Sequence, residues 1–290
     1  MTTTVARTRA ELGATLAGRP RPLHLVPTMG ALHAGHAALL RAARGAAATV
    51  VMSLYVNPLQ FNDPNDLRRY PRTLEADVAV ASECGTDLVW APGDAEMYPS
   101  GATVAKVCVP GVSDGLEGAH RPGHFDGVGT VVAKLFHQVM PDVAWFGRKD
   151  AQQLAVIRRM VADLDFPVEI RDHPTVREPD GLALSSRNAL LDGAQREDAL
   201  RLSRGLFAAA ALAGSGERDA AVLEAACGGD LEYAALVDAA TFSRLDTLSG
   251  RAVLAVAAHL GAVRLIDNVT LELLPGGDVR ADLGRRLETR

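Results

Sequence analysis

Cysteine is scarce in this chain: Cys84, Cys108 and Cys227 are the only three in 290 residues. They lack metal-ligand spacing and cannot all pair with one another. This excludes a disulfide scaffold and a cysteine metal cage, and points to reduced thiols in a cytosolic protein. A large excess of either charge is lacking too, with 30 Lys and Arg against 35 Asp and Glu. The formal net charge of −5 offers no sequence-independent grip on a nucleic-acid backbone, and there is no appended basic domain of the kind tRNA partners use. No apolar run reaches the length needed to span a bilayer. Met1 to Arg7 lacks the apolar core of a signal peptide, so a cytoplasmic protein without membrane partners is expected. No internal repeat is evident. What remains is ordinary for a globular protein, at 48% hydrophobic and 22% charged residues. The length allows a large core and two domains.

One stretch stands out, Pro27-Thr28-Met29-Gly30-Ala31-Leu32-His33-Ala34-Gly35-His36. Leu23 to Val26 before it is apolar with a β-branched end and reads as a buried strand. Ala37 to Ala43 after it is built from strong helix formers. Strand, glycine turn and helix N-terminus make a natural phosphate site, because unpaired N–H groups and the helix dipole converge there. His33 and His36, three apart, are expected on one face of the first helical turn. A structural turn or a metal pair are the alternatives. The metal reading lacks a third ligand and the zincin spacing.

Further polar groups recur at the ends of predicted strands, where open α/β sheets bind ligands. Thr49 to Val56 reads as a second buried strand and ends at a loop carrying Gln60. Thr73 is a plausible N-cap for the helix that holds Asp77, a candidate Mg2+ ligand through water. Asp87 to Trp90 reads as a third strand and Val104 to Val109 as an edge strand. The glycine-rich loop from Leu116 to Val128 presents Arg121 and His124, for phosphate or substrate, or as a plain turn. Val143 to Phe146 is a strand running into Gly147-Arg148-Lys149-Asp150 and a helix that carries Gln153. Lys149 suits a phosphate as a mobile point charge, and Asp150 a helix cap or a ribose hydroxyl. Pro167 to Ile170 reads as the last strand of this domain. Ser185-Ser186-Arg187 makes a compact anion clamp or an ordinary helix cap. Beyond residue 190, helices over 194–213 and 219–226 and short strands at 231–237, 252–257 and 263–266 predict an α+β domain with a small, mostly antiparallel sheet. The charged tail from Pro275 is expected to fray.

The His-x-x-His turn after a strand resembles the nucleotide-binding signature of nucleotidylyltransferases and class I aminoacyl-tRNA synthetases. The longer string Val26 to His36, with the strings around His124, Lys149 and Ser185, resembles the pantothenate synthetase family over roughly residues 22 to 270. The resemblance implies a Rossmann-like parallel-sheet domain over 1–178 that binds ATP and pantoate, a smaller α+β lid domain over 179–290, and a homodimer. It implies an ATP-dependent ligase that joins pantoate to β-alanine through a pantoyl adenylate, with Mg2+. His36, His33, Lys149 and Arg187 would be catalytic. Met29, Gly30, Ala31, Leu32, Ala34, Gly35, Gly147, Arg148, Asp150, Val176, Leu184, Ser185 and Ser186 would complete the ATP site with those four. Gln60 and Gln153 would bind pantoate. Two residues depart from the family pattern: Ala34, where an acid is frequent, and Arg148, where Glu is usual. A nucleotidylyltransferase and a non-catalytic nucleotide sensor are the rival readings.

Overall fold

The structure is a computed structural model and describes residues 3–101 and 105–287. The chain divides into two compact units. One comprises Met1–Phe146 and Val156–His173, the other Gly147–Ala155 and Pro174–Arg290. No helix among the described residues is long and apolar enough to cross a membrane.

The first unit is built on a six-stranded sheet of β1 (Thr4–Ala6), β2 (Leu23–Thr28), β3 (Thr49–Leu54), β4 (Leu88–Trp90), β5 (Val143–Gly147) and β6 (Glu169–His173). The strand order is β1-β4-β3-β2-β5-β6, and the pairs β1–β4, β4–β3, β3–β2 and β2–β5 are parallel. Its helices are α1 (Arg9–Leu16), α2 (Ala34–Arg44), α3 (Pro64–Arg69), α4 (Leu74–Glu83), α5 (Asp94–Met97), α6 (Glu117–His120), α7 (His124–Val139) and most of α8 (Ala151–Asp163). Val26, Val50, Met52 and Val89 of the sheet are buried against Leu40 and Ala43 of α2 and Ala81 of α4. Helical cover of this kind explains why these strands read as continuous apolar runs.

The strand order places a winding reversal beside β2. The crossover after β2 runs to β3 on one side, whereas the crossover after β5 runs to β6 on the other. β2 pairs with β3 as far as Thr28, but its ladder to β5 covers only His24 and Leu25. Pro27 has no N–H to extend a ladder. The carboxyl end of β2 therefore opens at the switch point, where α/β folds bind ligands.

The second unit contains α9 (Gly193–Gly214), α10 (Ala220–Ala226) and a sheet ordered β11-β10-β9-β8, of β8 (Tyr233–Asp238), β9 (Arg251–Leu260), β10 (Val263–Leu273) and β11 (Val279–Asp282). All three pairings are antiparallel. One face of the sheet, with Leu254, Val256, Leu265 and Leu271, buries Leu200, Leu202 and Leu206 of α9. A separate parallel pair joins β7 (Val176–Arg177) to β12 (Arg285–Arg286).

Three expectations are corrected. Residues 1–22 read as a short helix and an entry loop, yet Thr4–Ala6 forms an edge strand on β4. Residues 105–109 are not a strand, and Val104 lies outside the described residues. The Val107 N–H instead donates to the Thr130 hydroxyl, 3.0 Å away. The tail up to Leu287 is ordered by pairing: β11 lies on β10 and β12 on β7. Its charged side chains disguised backbone groups that complete ladders.

Candidate active site

In the first unit the site grows from the turn after β2. Gly30 adopts φ +88°, and a Cβ there would meet Asp77 Oδ2 at 2.9 Å. Only glycine meets both demands. The reason for the crowding is that Asp77, buried in α4, accepts the Ala31 N–H (3.0 Å), the Leu32 N–H (2.8 Å) and the Thr73 hydroxyl (3.1 Å). Thr73 precedes α4 as expected, yet its hydroxyl makes no cap bond and serves Asp77.

The histidines are not simply neighbours on a helical face. His33 is the N-cap of α2, and its Nδ1 accepts the Gly35 N–H at 3.1 Å. His36 Nδ1 accepts the His33 N–H at 3.3 Å. The two rings, 4.1 Å apart between centroids, form a reciprocal capping box of the kind Ser and Glu usually make. An Nδ1 that accepts an amide proton leaves the proton of the neutral ring on Nε2. Each ring can then donate a hydrogen bond while its other nitrogen fixes the helix start.

Gln60 is buried beside this turn. Its side-chain amide donates to Met29 Sδ at 3.0 Å, and Asn57 Nδ2 donates to Gln60 Oε1 at 3.2 Å. Asn57 also donates to the Gly127 carbonyl (3.0 Å) and accepts the Leu59 N–H (3.3 Å) and the Tyr98 hydroxyl (2.8 Å). Burial, with the nearby Asp94 carboxylate, pushes the Tyr98 phenol up to about 12, which keeps it a donor. Gly127 of α7 permits the approach, since a Cβ there would collide with the Leu59 carbonyl. Arg121 and His124 converge on one backbone atom. Arg121 Nη2 donates to the Gln60 carbonyl at 3.2 Å, and His124 Nδ1 donates to it at 2.8 Å. Arg121 Nη1 donates to His124 Nε2 at 3.3 Å. Both residues therefore shape the Gln60 loop.

The second unit carries the other expected residues. Gly147, Arg148, Lys149 and Asp150 form the end of β5 and a single 3-10 turn before α8, with Gln153 half-buried in its first turn. The Lys149 ammonium lies 3.8 Å from Asp150 Oδ1. The Arg148 guanidinium is paired with the Asp282 carboxylate of β11. That pair accounts for the positive charge where the family usually carries Glu. Leu184 donates its N–H to the Val176 carbonyl at 2.9 Å, so these two expected adenosine contacts are adjacent. Ser185 caps the turn Ser186–Leu190 by accepting the Arg187 N–H at 3.2 Å. Asn188 Nδ2 donates to Glu178 Oε1 and to the Ala183 carbonyl, both at 3.1 Å, which braces that loop.

Among the described residues no cluster of three His, Cys, Asp or Glu side chains is set to hold a metal ion. Both Asp77 oxygens are taken by the turn. Among the described residues, the donor set is therefore not arranged as a resident metal site. Sequence reasoning passed over Asn57, Tyr98, Asp267 and Asn268. Only the position of Asn57 at a strand end signalled it; the side-chain bonds that give the others their place here reach across 41, 90 and 119 positions of the chain.

A profile of the family described as pantoate-beta-alanine ligase matches residues 1–270. Pantothenate synthetase of Rhizorhabdus wittichii is 54% identical over 261 residues, covering 88% of this chain and 92% of that protein. That of Corynebacterium efficiens is 53% identical over 283 residues, covering 92% and 98%. The crystal structure of pantothenate synthetase from Thermus thermophilus superposes with a TM-score of 0.86 at 46% identity, covering 92% of this chain and 98% of that one. Pantoate-beta-alanine ligase from Francisella tularensis, complexed with beta-gamma ATP and beta-alanine, gives a TM-score of 0.75 at 32% identity, covering 92% and 97%. With the profile spanning nearly the whole chain and relatives above 50% identity, the chain belongs to the pantoate–β-alanine ligase family.

Proposed function

We propose that this protein condenses pantoate with β-alanine at the expense of ATP, through a pantoyl adenylate, as a cytoplasmic homodimer. The observation that carries the reading is the His33–His36 capping box at the carboxyl end of β2, which supplies two imidazole donors at a helix N-terminus.

A carboxylate acylates poorly because oxide is a poor leaving group, and adenylation replaces it with AMP. In the first step a pantoate carboxylate oxygen bonds to the α-phosphorus while the bridging bond to the β-phosphate breaks, its electron pair leaving with pyrophosphate. An anion meets a polyanion here, so donors and cations must take up the charge as it moves. His33 and His36 donate from Nε2 to the phosphates. Lys149, Arg187, Ser185 and Ser186 share the β and γ charge. Mg2+ arrives with ATP as part of the substrate. Met29, with backbone from Gly30 to Gly35 and near Gly147, Val176 and Leu184, frames the adenosine; Asp150 takes a ribose hydroxyl. Gln60 and Gln153 orient pantoate for in-line attack. Asp77 positions the Gly30–Leu32 turn. In the second step the β-alanine amine attacks the acyl carbon, the bond to AMP breaks, and the amine loses a proton.

The test is pyrophosphate–ATP exchange with pantoate present and β-alanine withheld. Pantoate-dependent exchange, followed by pantothenate and AMP once β-alanine is added, is the expected result. Protein that binds ATP but shows no exchange with pantoate would overturn the reading and favour transfer to another acceptor.

A further inference from the structure

The Lys149 turn is held by a residue 119 positions away that the reaction scheme leaves out. Asn268, on β10, is buried, and its side-chain Nδ2 donates to the Lys149 carbonyl at 2.8 Å and to the Arg148 carbonyl at 3.1 Å. Both amide hydrogens are thereby spent on one turn.

The strand around Asn268 is anchored from its other face. Successive residues of a strand point to opposite sides, and Asp267 faces away from Asn268. Asp267 accepts a two-pronged bond from buried Arg177, at 2.6 and 3.0 Å. Arg177 also donates to the Asn268 carbonyl at 3.2 Å and to the Gly181 carbonyl at 3.2 Å, in the loop that leads to Ser185. The Arg148 side chain is tied separately to Asp282 on the adjoining strand β11.

We propose that Asn268 is a positioning residue for adenylation: its amide fixes the Arg148–Lys149 backbone and so aims the Lys149 ammonium at the departing pyrophosphate. The proposal rests on the assignment of Lys149 to the β and γ phosphates. A lysine is a point charge on a flexible stem. Its aim therefore depends on where its backbone is held, and a shift of about 1 Å costs about a hundredfold in rate. Pyrophosphate leaves only in the first step. Loss of Asn268 then slows adenylation and spares amide formation, which begins after pyrophosphate has gone.

The experiment compares Asn268→Ala and the isosteric Asn268→Asp, which keeps the volume and loses the donors. In both, pantoate-dependent exchange is expected to fall about ten- to a hundredfold. The rate at which supplied pantoyl adenylate reacts with β-alanine should match wild type. Asn268→Ala placed on Lys149→Ala should add little to the loss from Lys149→Ala alone, because the two act on one contact. Wild-type exchange in both Asn268 variants, an equal fall of both half-reactions, or additive losses would each overturn the positioning role. Wild-type exchange in Lys149→Ala would instead overturn the Lys149 assignment, and with it this proposal.

Discussion

A histidine that caps a helix through Nδ1 has the direction of its other nitrogen set by the cap. The proposed phosphate contact would give His33 a second job beside its cap, and substitution can separate the two. Asn is an efficient N-cap but carries no equivalent of Nε2. His33→Asn should keep the wild-type melting temperature and lose most pyrophosphate exchange. His33→Ala should lose the exchange and also about 1 kcal/mol of stability, read by urea titration. Full exchange in His33→Asn would show that the cap is the whole role. For His36, truncation to Ala should raise the adenylation barrier by about 3–4 kcal/mol, the range of one preorganised electrostatic contact. Gln153→Ala should weaken pantoate far more than ATP in steady-state kinetics; equal losses would count against its assignment.

At the scale of the element, β2 carries a buried histidine, His24, near the end of the strand away from the His33 turn. Its Nδ1 accepts the Trp145 indole N–H at 3.1 Å. Burial first, and then the charge of Arg171, lower its pKa; its bond to the Ala43 carbonyl and the charges of Asp142 and Glu169 only partly oppose this. The folded state thus prefers the neutral ring, while the unfolded chain takes up a proton near pH ~6.5. The unfolded state binds more protons, so this contribution is complete above about pH 6.5 and is lost as pH falls towards the lower folded value. Urea midpoints at pH values about one unit above and one unit below that point should therefore differ more in wild type than in His24→Gln. An unchanged difference would remove His24 as the cause. The α7 contact is equally local. Gly127→Ala forces its methyl into the Leu59–Gln60 backbone and should displace Gln60, raising the KM for pantoate.

At the scale of the whole molecule, the two compact units carry distinct reporters. Both tryptophans, Trp90 and Trp145, belong to the first unit, whereas the buried Arg177–Asp267 pair belongs to the second. Removing one member of such a pair strands the other charge and costs about 3–5 kcal/mol. In Asp267→Ala the far-ultraviolet circular dichroism, which reports both units, should gain an early urea transition. Tryptophan fluorescence should keep its wild-type midpoint. Coincident shifts of the two signals would mean that the units unfold as one.

What could be read along the chain were features written locally. The apolar β-branched runs at 23–26, 49–56 and 143–146 became central strands of a parallel sheet because burial on both faces leaves that signature. The helix over 194–213 was legible from its Ala/Leu composition, whereas the stretch read as a loop to Val128 is already helical from His124. The His-x-x-His turn, the Lys149 turn and the Ser185 loop were legible because each joins glycine or polar residues to a strand end or a helix start. Residues 279–286 were misread because a strand that pairs through its backbone needs no apolar side chains. The working partners of the site were hidden for a different reason. Asp77 clamps a turn 45 positions away, Asn57 reaches α7, and Asn268 holds the Lys149 turn 119 positions away. Such contacts depend on which backbone groups are left without partners once the strands are ordered. The residue types and their local periodicity determined the elements and the reactive turns, whereas only the tertiary structure decided which distant polar side chain satisfies each turn, because a buried N–H or carbonyl must find a partner wherever the fold brings one.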